Sequence, residues 1–219
     1  MSLAASTNPV VVPITARDTG AADAGSYYVG LTPTPGTGII GGASVQAFTE
    51  TTPYLVLYNG GSLNIYPTYL RMHTTVIGAT ASVAEFWTNT LDTGNRFSSG
   101  GTALAVANTN SGSTNTSKAV VTVGAITATA ATSTRKIVSH QASKFVTIET
   151  VHDTIHINWG APVATDQTSL INNAASLCHT AMYWAPVVIA PGYSMVLVRW
   201  AASQTTGSTL EVEMGWIEK

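Results

Sequence analysis

The closing stretch TLEVEMGWIEK (209–219) constrains the fold more than any other part of the chain. On an extended backbone Leu210, Val212, Met214 and Trp216 fall on one side, and Glu211, Glu213 and Gly215 on the other. Successive strand side chains point to opposite faces, so apolar-in, charged-out spacing at period two describes a half-buried antiparallel strand. A one-residue slip would turn the whole apolar set into water, which pins the register. The expectation is that Val212, Met214 and Trp216 are buried while Glu211 and Glu213 face outward.

Runs rich in Val, Ile and Thr recur upstream: YLVLY (54–58), SLNIYPTYLRMHTTV (62–76), ASVAEFWTN (81–89), KAVVTVGAITATAA (118–131), KFVTIETVHDTIHINW (144–159), AMYWAPVVIA (181–190) and YSMVLVRWAAS (193–203). Side chains of this kind suit a pleated surface. Only SLINNAASLCH (169–179) has a helical cast, and it is short. About ten strands without a long helix predict an all-β fold, an antiparallel β-sandwich of jelly-roll-like type over residues 51–219. Asn59-Gly60-Gly61 reads as a hairpin turn. Pro67 is expected at a bulge or a sheet edge, because it has no N–H to give a ladder. NTNSGSTNTS (108–117) reads as a long exposed loop. Residues 1–50 carry Pro9, Pro13, Pro33 and Pro35 among Gly, Thr and Ala. They are read as an extended N-terminal arm with short strand pieces near 10–14 and 43–49.

Composition narrows the function classes. Charged residues make up 9% of the chain, against roughly 25% in an ordinary soluble domain. A folded protein with so few charges has weak electrostatic protection of its surface, and such surfaces are often buried in assemblies. Nine Lys and Arg are spread thinly, with only Arg135 and Lys136 adjacent. Nucleic-acid binding relies on clustered cations, so no nucleic-acid partner is expected. No apolar run approaches the ~18 residues of a membrane span, and Pro9 and Pro13 bracket only Val10–Val12 where a signal peptide would need a longer core. The chain is expected to be soluble when made, with its mature start close to residue 1 and no membrane partner. The single cysteine, Cys178, allows no intrachain disulfide.

Four constellations could carry chemistry. Two Asp-Thr-Gly triplets, at Asp18-Thr19-Gly20 and Asp92-Thr93-Gly94, have the spelling of an aspartic-protease dyad. Neither follows the buried apolar strand such an Asp needs, and Asp-Thr-Gly is also ordinary turn chemistry; both are read as turns. His152 and His156 flank Asp153 at helical metal-ligand spacing. On a strand the two would sit ~13 Å apart, too far to share an ion bound at ~2.0 Å, unless the chain turns at Asp153. No G-x-S-x-G elbow is present, since GYSMV (192–196) runs straight into a strand. Cys178 beside His179 is read as a buried, inert thiol. Trp87, Trp159, Trp184, Trp200 and Trp216, with Tyr27, Tyr28, Tyr66 and Tyr69, could build a sugar-stacking platform, but they lie in apolar runs and are read as core. No catalytic, cofactor-binding or metal-ligating residue is therefore assigned.

Three segments carry a resemblance. LNIYPTYLRM, LDTGNRFSSGGTAL and APGYSMVLVRWAASQTTGSTLEVEMGWIE, within roughly residues 50–217, resemble virion structural proteins of tailed bacteriophages. The resemblance implies a non-enzymatic, β-rich subunit of the virion, made in the host bacterial cytoplasm. A capsid decoration (cement) protein or another head- or tail-associated component would fit. Its partners would be itself, most simply as a homo-oligomeric trimer, and other virion proteins such as the major capsid protein. No functional residue carries over. The alternatives are a carbohydrate-binding β-sandwich module, which needs exposed coplanar aromatics, and a glycan-cleaving enzyme, which needs two carboxylates facing across a cleft.

Overall fold

The β-prone runs assemble into two face-packed sheets. The structure is a computed structural model and describes residues 17–42, 47–79, 84–144, 150–160, 179–201 and 205–219. In the seven-stranded sheet the order is β11 (His179–Trp184), β10 (Thr154–Trp159), β4 (Ile65–Val76), β13 (Thr209–Glu218), β1 (Tyr27–Leu31) and β7 (Ala105–Asn108), with the short β2 (Ile39–Ile40) also paired to β13. The six-stranded sheet runs β6 (Phe97–Ala103), β8 (Ala119–Ala128), β3 (Leu55–Asn59), β12 (Tyr193–Ala201), β5 (Ala84–Thr93) and β9 (Lys136–Lys144). The protein is an all-β sandwich. Its one helix among the described residues is α1 (Arg17–Asp23).

Inward-facing side chains of both sheets share one core. Leu55, Leu57, Trp87 and Met195 come from one sheet, and Leu70, Met72, Ile157, Met182 and Trp216 from the other. Four of the five tryptophans lie in this core, as their apolar surroundings predict. The C-terminal strand keeps its expected alternation, with Val212, Met214 and Trp216 buried and Glu211 and Glu213 partly exposed. The alternation then breaks. A register shift falls between Gly215 and Trp216, opposite Pro67, so the proline sits at a bulge as expected. Beyond it Ile217 points to the outer face, where Ala21 of α1 and Tyr27 cover it.

Gly215 is what allows this bulge to close. A methyl group there would lie 2.4 Å from a Tyr69 ring carbon and 2.8 Å from the hydroxyls of Thr68 and Tyr27. Gly215→Ala is expected to cost about 1–3 kcal/mol by overpacking. Urea melts would show it as a lowered midpoint, and an unchanged midpoint would rule out the close-approach account.

Several local expectations need correction. Asn59-Gly60-Gly61 is not a hairpin: β3 and β4 belong to different sheets, and neither glycine has a positive φ. The Asn59 amide instead donates to Leu63 O (2.8 Å) and Ile189 O (2.9 Å) and accepts from Gly61 N (3.0 Å), fixing a crossover between sheets. The stretch read as an arm contributes α1, β1 and β2, and β1 is hydrogen-bonded on both sides, to β13 and β7. The Tyr-Tyr-Val run at its centre has strand propensity that the flanking prolines obscured. β10 and β11 pair in parallel within an otherwise antiparallel sandwich. The expected strands do not include β6, β7 or β9: β6 and β7 are dominated by small or polar side chains, and β9 has only Ile137 and Val138 as large apolar residues, so none shows an apolar rhythm. The helical piece read over 169–179 lies outside the described residues except for His179, which opens a strand. The strand piece near 10–14 also lies outside them, and of the piece near 43–49 the described part, 47–49, forms no strand.

Candidate functional site

Outward positions of four neighbouring strands bring scarce ionisable side chains together. Met72 of β4 points into the core, so Arg71 and His73 point out. β13 sends out Glu211 and Glu213 by the same rule, and β10 sends out Thr154 and His156. Register lines these up in two rows. Leu31, Glu213, Arg71 and His156 are successive partners in one, and Glu211, His73 and Thr154 in the other. Facing residues on adjacent strands are close enough to interact. They line an open groove of about 560 Å³, rimmed by Leu31 and Pro35.

Each carboxylate is held in place. Glu213 is ion-paired to Arg71 and accepts a hydrogen bond from the Tyr69 hydroxyl at 2.5 Å. Burial, followed by that bond to Glu213, raises the Tyr69 pKa well above its ordinary value, so the phenol stays a donor. Glu211 accepts from Gly36 N at 2.5 Å, which ties down the 33–37 loop, and lies 3.5 Å from His73 Nδ1. His73 Nε2 in turn meets His152 Nδ1 at 3.2 Å.

His152 is not on a strand. It sits in the turn before β10 at φ 77°, the only non-glycine residue with positive φ among the described residues. The reading that put His152 and His156 on one strand is thus corrected: the chain turns at Asp153, and the partner brought to His152 is His73. Asp153 builds the turn, its buried carboxylate accepting from Thr150 N (2.7 Å) and Thr150 Oγ1 (3.0 Å). His152 N donates to Thr74 O and Thr74 N to Asp153 O, both at 2.8 Å, docking the turn on β4. Three of the chain's five histidines thus lie at or beside one groove.

The other sequence candidates do not converge on it. Asp18 is exposed in α1, not in a turn, on a helix that packs through Ala21 and Ala22 against the seven-stranded sheet. Asp92 is fully buried at the end of β5 in the other sheet, and only there does the triplet make a turn, with Gly94 at φ 77°. The two carboxylates form no dyad. Asp92 is instead ion-paired with Arg96 at 2.6 Å and accepts from the backbone N–H groups of Thr93 and Thr132 at 2.9 Å each, and from the Thr132 hydroxyl. Cys178 lies outside the described residues, and His179 opens β11. Glu211 and Glu213 stand side by side on one strand rather than facing across a cleft. On the outer face of the six-stranded sheet, Phe86 and His140 are parallel and stacked (2°, centroids 6.2 Å apart), and Trp200 stands edge-on to Phe86 at 86°. That cluster is no flat platform for a sugar ring.

Sequence reading identified His152, His156 and the outward Glu211 and Glu213, and missed Arg71 and His73. The polar–apolar–polar spelling of Arg71-Met72-His73 was the available signal. That β4 lies between β13 and β10 is a long-range fact that no local pattern carries. Comparison with protein-family models, with curated proteins and with solved structures finds no match.

Proposed function

We propose that the chain is a non-enzymatic structural subunit of a tailed-phage particle, acting through protein–protein contacts as a capsid decoration or other head- or tail-associated component. The observation that carries this reading is a charge-poor surface with outward apolar side chains. Ile40 and Val76, 60% and 55% exposed, flank Thr209 from either side on the seven-stranded sheet, and Ile137 is 52% exposed at the edge of the other. Exposed apolar side chains such as Ile40 and Val76, side by side with Thr209 at one end of a sheet, suit an assembly contact.

The strand pairing supports the architectural half of the reading. Take β1, β3, β4, β5, β9, β10, β12 and β13 as eight strands in chain order. The first pairs with the eighth, the second with the seventh, the third with the sixth and the fourth with the fifth, all antiparallel. Rolling such a ribbon into two sheets gives the jelly roll found in capsid and lectin domains. β2, β6, β7, β8 and β11 are then additions to that frame.

The test is the mass of the protein in solution. At micromolar concentration the full chain is expected to sediment as a homo-oligomer, most simply at three times the 22.7 kDa chain mass. A monomer under these conditions would reject the assembly reading. Because β1 lies inside the sheet, the truncation that probes an arm begins at Arg17 and leaves β1 intact. Loss of the oligomer on removing residues 1–16 would support an arm contact, and an unchanged oligomer would discard it.

A further inference from the structure

We propose that His73 and His152 form a two-histidine chelate for a divalent transition metal of the Zn²⁺, Ni²⁺ or Cu²⁺ class, with Glu211 orienting His73. This departs from the sequence expectation of no metal site, because the second ligand comes from a strand distant in sequence. Two imidazole nitrogens bound at ~2.0–2.1 Å to a tetrahedral ion stand roughly 3.3 Å apart. His73 Nε2 and His152 Nδ1 are 3.2 Å apart, with ring planes within 17° of each other and centroids 5.3 Å apart. The rings meet nitrogen to nitrogen, so a modest rotation of each ring aims both lone pairs at a common point.

The surroundings fix both ligands. His73 Nδ1 faces the Glu211 carboxylate at 3.5 Å, and that carboxylate is itself anchored by Gly36 N. A carboxylate on the far nitrogen places the imidazole proton there and leaves Nε2 as a lone-pair donor, the arrangement that raises ligand basicity in histidine metal sites. His152 is pinned by the Asp153-capped turn and by its own N–H on Thr74 O. It holds a backbone conformation that few side chains adopt. A strained residue whose ring is delivered to one partner is what a preformed ligand pair requires.

Chemically the step is simple. In the apo protein one imidazole N–H bridges the two nitrogens. On binding, the His152 ring proton moves from Nδ1 to Nε2, and each ring donates one lone pair to the ion. No redox change is involved. No group of three or more His, Cys, Asp or Glu among the described residues converges on one point. Water from the open groove therefore completes the coordination, and the site is exchangeable rather than structural.

Isothermal titration of the full chain with Zn²⁺ and with Ni²⁺ tests the proposal. One equivalent per chain is expected, with His73→Ala and His152→Ala each weakening binding at least tenfold. Glu211→Gln should weaken it about tenfold while leaving the ligands in place, and His140→Ala, a histidine on the other sheet, should change nothing. Far-UV circular dichroism of each variant confirms that the sandwich is intact. If wild type binds neither ion more tightly than the His73→Ala, His152→Ala double variant, the pair is only a hydrogen bond and the proposal fails. Equal weakening by His140→Ala would also overturn it.

Discussion

Trp216→Ala should lower the unfolding free energy by about 3–5 kcal/mol, the range for removing a large aromatic from a packed core. The indole is fully buried in the shared core. Tyr28 stacks on it with centroids 6.3 Å apart, and its N–H donates to Glu218 Oε1 at 3.2 Å. Gly30 on the neighbouring strand leaves room for the ring: a methyl group there would lie 3.1 Å from the indole. Truncation therefore removes packing from two strands and takes a partner from a buried carboxylate, leaving Glu218 to Ser117. The bulge at Gly215 also limits how far β13 can collapse into the cavity. Chemical denaturation of wild type and variant measures the difference. A change below ~1 kcal/mol would contradict the inward assignment of Trp216.

Breaking the buried Asp92–Arg96 pair should be comparably severe. Arg96 is 1% exposed and Asp92 not at all. Arg96 also donates to Thr129 O through Nε (3.0 Å) and Nη2 (2.7 Å), and its backbone N–H donates to Ser194 Oγ at 3.1 Å. This hub ties the end of β5 to the loop after β8 and the start of β12. Arg96→Ala leaves a buried carboxylate without its cation, which costs about 3–5 kcal/mol. Burial alone would raise the Asp92 pKa. Hydrogen bonds from Thr132, Arg96 and the Thr93 backbone outweigh it and hold the carboxyl below its ordinary value. With the folded pKa below the unfolded one, the stabilisation is complete above the unfolded carboxylate value and is lost as pH falls through the folded value. Thermal melts should therefore decline on acidification below about pH 4. Asp92→Asn should be less stable at pH 7 and flatten that decline. An acid slope identical to wild type would show that Asp92 does not carry it.

What the sequence revealed tracks how local the physics is. Period-two alternation in 210–214 survives because it needs only one strand with one wet face. Past Gly215 it fails, since the bulge and the cover provided by α1 bury both faces of the strand end. The tyrosines at 27 and 28 went unread as a strand because prolines nearby dominated the local pattern. Phe97–Ala103 carries small, exposed side chains whose strand state depends on β8 rather than on their own preference. The groove was legible one strand at a time: outward glutamates on β13, histidines around Asp153. Their meeting with Arg71 and His73 depends on sheet order, which is set by closure of the whole sandwich.

That sheet order also sets a timetable. Tyr27 pairs with Ile217 and Leu31 with Glu213, so β1, next to the edge of the seven-stranded sheet, finds its inner neighbour only after β13 has been synthesised. Contacts so distant in sequence slow folding, because loop-closure entropy must be overcome before they form. On the ribosome β1 keeps one edge unpaired until β13 emerges, and the outward Ile40, Val76 and Thr209 become neighbours only then. Under the proposed assembly role, a surface completed in that order cannot recruit a partner before β13 is made.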